Sequence, residues 1–161
     1  VNMRLYSITD WLGLVPIGVA FGFAVLGLVQ WIKRKSLFKV DRGILALGGF
    51  YIIVLAMYIF FEIVVINYRP VLIDGYLEAS YPSSTTMLVM CVMPTAMMQL
   101  HARIKSDVFR RCVLISIAAF TAFMVIGRLA SGVHWLTDII GGALVSAGLV
   151  ITYASVSDIH K

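Results

Sequence analysis

Residues 11–32, WLGLVPIGVAFGFAVLGLVQWI, contain no Asp, Glu, Lys or Arg. A helix of that length rises about 33 Å at 1.5 Å per residue, enough to cross the roughly 30 Å hydrocarbon core of a bilayer. Trp11 and Trp31 stand at its two ends, where indole rings anchor a span at the membrane–water interface. Gly18 and Gly22 form a small-xxx-small pair, which predicts close helix packing on that face.

The rest of the chain continues the pattern. It is 161 residues long, 61% hydrophobic and only 13% charged, with a mean hydropathy of +0.97. That composition excludes an ordinary soluble domain. Further apolar runs lie at about 44–66, 83–100, 112–126 and 134–155, giving an all-α, polytopic transmembrane helical bundle in one domain with five spans. Pro94 predicts a kink in the third span. Cys91 and Cys112 are too isolated for a disulfide framework or a metal knuckle and read as packing residues. The chain starts at Val1 with a short polar segment and not with a charged and then apolar leader, so no signal peptide is expected. The start without methionine suggests sequence upstream.

The formal charge of +5 does not point to nucleic acid, because the basic residues sit in short loops between apolar runs. Lys33, Arg34, Lys35, Lys39 and Arg42 occupy one such loop, and Arg103, Lys105, Arg110 and Arg111 another; together they are nine of the 13 Lys and Arg residues. Two spans separate these loops, so both lie on one side, which the positive-inside rule makes cytoplasmic. Residues 67–81 and 127–133 then face outside. Arg69, the polar cluster from Ser83, Arg128 and His134 thus reach one membrane face by topology alone.

Ionisable residues inside such a sequence are costly and mark functional sites. Three groups stand out: Glu62-x6-Arg69-Pro70, then Pro82-Ser83-Ser84-Thr85, then Gly127-Arg128-x5-His134-x3-Asp138. His134 and Asp138 share a face if the chain is helical from about Val133, so the carboxylate can hold one ring nitrogen of the imidazole. Arg128, just before that helix, supplies a cation for anions. An isolated intramembrane histidine is usually a packing residue; one flanked by an arginine and an aspartate reads as phosphoryl-transfer chemistry.

The three groups resemble the motifs of the type 2 phosphatidic acid phosphatase superfamily, K-x6-RP, PSGH and SR-x5-H-x3-D, in order from Glu62 to Asp138. The third motif is the specific one. The resemblance implies a six-span fold, whose first helix or amphipathic N-terminal segment is expected to be absent here. It also implies His134 as the nucleophile, Asp138 as the residue fixing its tautomer, and Arg69 and Arg128 as neutralisers of phosphate oxygens. Ser83, Ser84 and Thr85, with backbone N–H groups at the start of the third span, would cradle the phosphate. No metal and no cofactor is expected.

Departures from the motifs are equally informative. Glu62 replaces the lysine, Ser84 the glycine, Thr85 the second histidine and Gly127 the serine. Loss of the second histidine removes the acid that protonates the leaving oxygen, an effect of roughly 10²–10⁴-fold. A pyrophosphate expels phosphate, a weak base, and depends less on that acid; alternatively Glu62, placed seven residues before Arg69, acts as the acid or as a salt-bridge partner for Arg69 or Arg128. The expected function is hydrolysis of a lipid phosphate or polyprenyl pyrophosphate through a phosphohistidine, in a bacterial-type cytoplasmic membrane with the site facing outside. The alternative is a lipid-phosphate-binding membrane protein without turnover. Expected partners are the bilayer and the lipid substrate; the sequence carries no information on oligomeric state.

Overall fold

The computed structural model describes residues 1–157. Six helices follow in order: α1 (Met3–Leu12), α2 (Leu14–Arg34), α3 (Arg42–Ile63), α4 (Ser84–Arg103), α5 (Asp107–Ser131) and α6 (Leu136–Ser157). α1 and α2 form one nearly continuous apolar stretch, and it, α3, α5 and α6 are long and apolar enough to cross a membrane. Large apolar side chains such as Phe21, Ile52, Ile115, Leu144 and Ile151 point outward, as they must where hydrocarbon is the solvent.

α4 is the central helix. It packs against α2, α3, α5 and α6, and buries Met87, Val89, Cys91, Val92, Met93 and Ala96. Its 20 residues match the membrane core in length, but it also carries Thr86, Thr95 and Gln99 in the interior. A helix wrapped by its neighbours need not be apolar all round, provided its polar groups are bonded. Thr95 Oγ1 donates to the Cys91 carbonyl at 2.8 Å, and Gln99 Nε2 donates to the Tyr153 hydroxyl at 2.6 Å. α4 continues as a helix through Pro94.

Several helix ends differ from the expected spans because hydropathy sees only the lipid-facing part of a helix. Residues 3–12, expected to be a polar lead-in, form α1, capped by the Asn2 side chain accepting from Leu5 N. α5 starts at Asp107, with the Ser106 hydroxyl as N-cap, and runs beyond the expected end at 126 to Ser131. α3 stops at Ile63, so Glu62 lies on its last turn while Arg69 lies in the following loop, not on the same helix face. Gly18 and Gly22 have open space where a side chain would stand, so the predicted close packing is not made there.

The 64–83 loop folds back on itself through two isolated antiparallel bridges, Tyr68 with Ala79 and Ile73 with Tyr76. It lies at the same end of the bundle as the 132–135 turn and the N-terminus, where Asn2 N bonds the Ser131 carbonyl at 2.8 Å. The two basic loops occupy the opposite end, joined by ion pairs of Arg34 and Arg103 with Asp41. α6 carries Gly141 against the Tyr81 ring; any side chain there would collide with the ring. That close approach seats residues 80–83 on α6, with Ser83 N bonded to the Asp138 carbonyl at 3.1 Å.

Candidate active site

His134 lies in the turn between α5 and α6, and Asp138 on the first turn of α6, with both side chains buried. His134 Nδ1 and Asp138 Oδ2 are 3.6 Å apart, beyond a direct hydrogen bond. Ser80 closes the gap. Its hydroxyl donates to Asp138 Oδ2 and stands 3.1 Å from His134 Nδ1. Asp138 also accepts from Asn67 Nδ2 at 3.1 Å and from Trp135 N at 2.9 Å, so the carboxylate is fixed by three residues from the 64–83 loop and the 132–135 turn. With the hydroxyl proton committed to Asp138, Ser80 Oγ is left to accept from Nδ1–H, which leaves a lone pair on Nε2. Nε2 is buried and has no hydrogen-bond partner.

Nε2 therefore carries an unshared lone pair inside the site. Burial, together with the positive charges of Arg69 and Arg128, depresses the imidazole from its usual value near 6.5 to about 4, against the opposing pull of Asp138. The ring is neutral at physiological pH.

Arg69 enters from the 64–83 loop. Its Nη2 pairs with Glu78 Oε2 at 3.0 Å, while Nε and Nη1 are buried without partners. Arg128, just before α6 in sequence as expected, sits on the last turn of α5 and not in a loop, and is almost wholly buried. Its Nη2 donates to Thr85 Oγ1 at 2.6 Å and pairs with Asp10 Oδ1 at 3.0 Å, leaving Nε unpartnered. The Tyr6 ring lies 4.8 Å from the Arg128 guanidinium and 5.6 Å from that of Arg69, bridging the two cations by cation–π contact. Gly127 makes this possible: a Cβ there would meet Thr9 Cγ2 at 2.8 Å, so a serine would push α1 away.

The arginines thus take their carboxylate partners from Glu78 and Asp10, and not from Glu62 as the sequence suggested. Glu62 instead lies beside the Tyr58 hydroxyl on α3. Ser83 is an N-cap, its Oγ accepting from Thr86 N at 3.4 Å. A cavity of about 500 Å³ is lined by Glu62, Arg69, Glu78, Ser80, Ser84 and His134 among others. Arg128 and Thr85 stand outside that lining, behind α1. The structure accordingly joins His134 and Arg69 directly at the cavity, holds Asp138 buried behind the imidazole, and places Arg128 and Thr85 in an adjoining pair.

Sequence reasoning missed Ser80, Asn67, Tyr6 and Asp10. Tyr6 and Asp10 could have been found by counting spans, since residues just before Trp11 must lie at the same end as Arg69. Ser80 offered no comparable signal beyond its closeness to the second motif.

Buried, unpaired cationic donors and a free imidazole nitrogen around one cavity, at one end of a membrane-spanning helical bundle, define a phosphate-handling membrane protein. A family model, the PAP2 superfamily, matches residues 60–160, which contain all three motifs. The chain belongs to the PAP2 superfamily and is, in class, a membrane lipid phosphatase. No curated protein is found to match it. Among solved structures it is similar to a transmembrane PAP2-type phosphatidylglycerolphosphate phosphatase from Bacillus subtilis, at 20% identity and a TM-score of 0.59. The likeness covers 94% of this chain and 79% of that one, and it shows a shared fold.

Proposed function

We propose that the chain hydrolyses a lipid phosphate or a polyprenyl pyrophosphate at the extracytoplasmic membrane face, through a phosphohistidine on His134. The observation that carries this reading is His134 Nε2, buried without a partner in a cavity shared with Arg69. In the first step Nε2 attacks phosphorus, the Nε2–P bond forms, and the P–O bond to the lipid breaks with its electron pair leaving on oxygen. The Ser80–Asp138 pair stabilises the imidazolium that develops. Arg69, through its free Nε and Nη1, meets the phosphate oxygens as they gain charge. Water then attacks phosphorus, the N–P bond breaks, and phosphate leaves.

Thr85, bonded to Arg128, stands in the place of the family's second histidine, so substrates with weakly basic leaving groups are favoured. A pyrophosphate meets that need by expelling phosphate; Glu62, on the cavity wall, is the alternative acid. The basic loops at the far end support an outward-facing site by the positive-inside rule.

One observation favours a second reading. Both arginines already carry a carboxylate partner, as suits a protein that binds lipid phosphate without turning it over. Phosphate release from undecaprenyl pyrophosphate and phosphatidic acid in vesicles, with trapping of alkali-stable, acid-labile phosphate on His134 after rapid quench at alkaline pH, decides between them. Release with a labelled histidine is expected. Binding without release or label would establish the second reading.

A further inference from the structure

Part of the cavity lining has the wrong charge for a polyanion. Glu62 and Glu78 both line it; Glu78 is paired with Arg69 at 3.0 Å, while Glu62 stands where the family motif places a lysine. Tyr58, Phe61, Tyr68 and Tyr81 line it as well, with the Phe61 and Tyr81 rings edge to face at 6.0 Å. Carboxylates among aromatic faces are the surroundings that ammonium groups seek, by charge and by the ring quadrupole. The anionic half of the same cavity is equally well built. The Arg69 side chain is 9% exposed and that of His134 2%, and each presents buried nitrogens without partners.

We propose that this cavity takes a phosphate that also bears an ammonium group, with phosphorus against His134 and Arg69 and the ammonium against Glu62 and the tyrosines. The inference rests on the phosphatase reading for its chemistry and sharpens the substrate class. A pyrophosphate would bring further negative charge against Glu62; a zwitterion brings a cation. The transfer step is unchanged: Nε2–P forms, P–O breaks, and the leaving oxygen keeps the electron pair and takes a proton from water. Where the ammonium lies on the leaving alcohol, as in a sphingoid base, it makes that oxygen a weaker base, which relieves the need for the histidine that Thr85 replaces. The ammonium can belong to the headgroup, as in a phosphoethanolamine lipid, or to the lipid itself, as in a phosphorylated sphingoid base.

The test uses the full chain in nanodiscs and two non-hydrolysable probes, 2-aminoethylphosphonate and ethylphosphonate, with binding measured by calorimetry. The amine should tighten binding about tenfold. Glu62→Gln should bring the ratio close to one, and Glu62→Lys should invert it. Glu62 is exposed, so neither change threatens the fold. Equal affinities in the native chain, no binding of either probe, or an amine preference that survives Glu62→Lys would each overturn the proposal. Phosphate release from a sphingoid-base phosphate, and diacylglycerol release from phosphatidylethanolamine, each against its N-acetylated counterpart, tells which source supplies the amine. An amine preference in binding without any turnover sinks the catalytic reading and leaves the inference standing. Turnover with no amine preference does the reverse.

Discussion

The two ends of the bundle hold charged clusters of opposite character. At the end with the basic loops, Asp41 accepts from Gln30 Nε2 at 2.8 Å, Arg34 Nη1 at 2.9 Å and Arg103 Nη2 at 3.1 Å, while its own N–H donates to Gln30 Oε1 at 3.0 Å. The carboxylate thereby ties α2, α3 and α4 together, half in water and with its hydrogen bonds made. At the other end His134 Nε2, Arg69 Nε and Nη1, and Arg128 Nε are buried with none. Each buried polar group left unpaired costs about 1–3 kcal/mol. One end satisfies its charges and the other leaves buried donors unsatisfied, as the proposed phosphate site would require. On that proposal the Asp41 cluster serves architecture, while the His134 cluster gives up stability to gain binding.

The most severe way to break the comparison is at the nucleophile. His134→Asn should lower phosphate release by at least about a thousandfold, with no loss of melting temperature, since it removes an unpartnered nitrogen. A comparable drop in melting temperature would make His134 a structural residue like Asp41. The acidity of the same ring gives a second reading of its state. Because its folded-state value is lowered to about 4, His134 is neutral throughout the neutral range and gains its proton only below about pH 5. The acid limb of kcat/KM should therefore fall near pH 4, not near the ordinary histidine value. Between the two values the unfolded chain holds more protons than the folded one, so stability also declines as pH drops through that window. A limb near 6.5 would mean that the ring is far more solvated than its burial implies.

Ser80 sharpens the contrast at intermediate cost. Ser80→Ala removes the hydroxyl joining His134 Nδ1 to Asp138, and should lower kcat by about 10–100-fold with little change in KM. Ser80→Thr keeps the hydroxyl and should restore part of the rate if the larger side chain fits. Nitrogen NMR of labelled histidine provides a readout that packing alone would not move, since the His134 Nδ1–H signal should lose its hydrogen-bonded shift in Ser80→Ala while the signal of His101, which is exposed, stays unchanged. An unchanged signal and rate would show that Asp138 reaches the ring without the serine.

How far the sequence revealed these clusters depends on which force places each residue. The spans were legible because burial in hydrocarbon imposes long charge-free runs, as in 11–32. α4 was legible by length, although its polar residues obscured that it is the centre. Arg69, Arg128, His134 and Asp138 were legible because their spacing is local. Glu62 was legible as an anomaly, but its partners were not, since ion pairs such as Arg128 with Asp10 join residues 118 positions apart. The same holds for Ser80, brought to Asp138 by the 64–83 loop across 58 positions. α1 was illegible because Arg4, Ser7, Thr9 and Asp10 among its ten residues leave too little hydropathy to mark a helix. It forms because Gly127 leaves room for it on α5.

The smallest effect belongs to Asp41, and it tests whether the satisfied end is only architecture. Bonds from Arg34, then Gln30, then Arg103 hold its carboxyl below the usual carboxylate range, against a modest opposing cost of burial. A lowered folded-state value means that the stabilisation is present above the unfolded carboxylate value near 3.9 and is lost as pH falls through the folded one. Asp41 is about one-third exposed, so solvent screens the pairs and Asp41→Asn should cost only about 0.5–1 kcal/mol. Asparagine keeps one acceptor oxygen for the guanidiniums and loses the charge. Thermal unfolding in nanodiscs should show a small destabilisation at pH 7 that shrinks in high salt and disappears as pH falls through the lowered value of the folded carboxyl, with kcat and KM unchanged. A change in turnover would show that the two ends are coupled through α4, which runs from Ser84 beside the cavity to Arg103 beside Asp41.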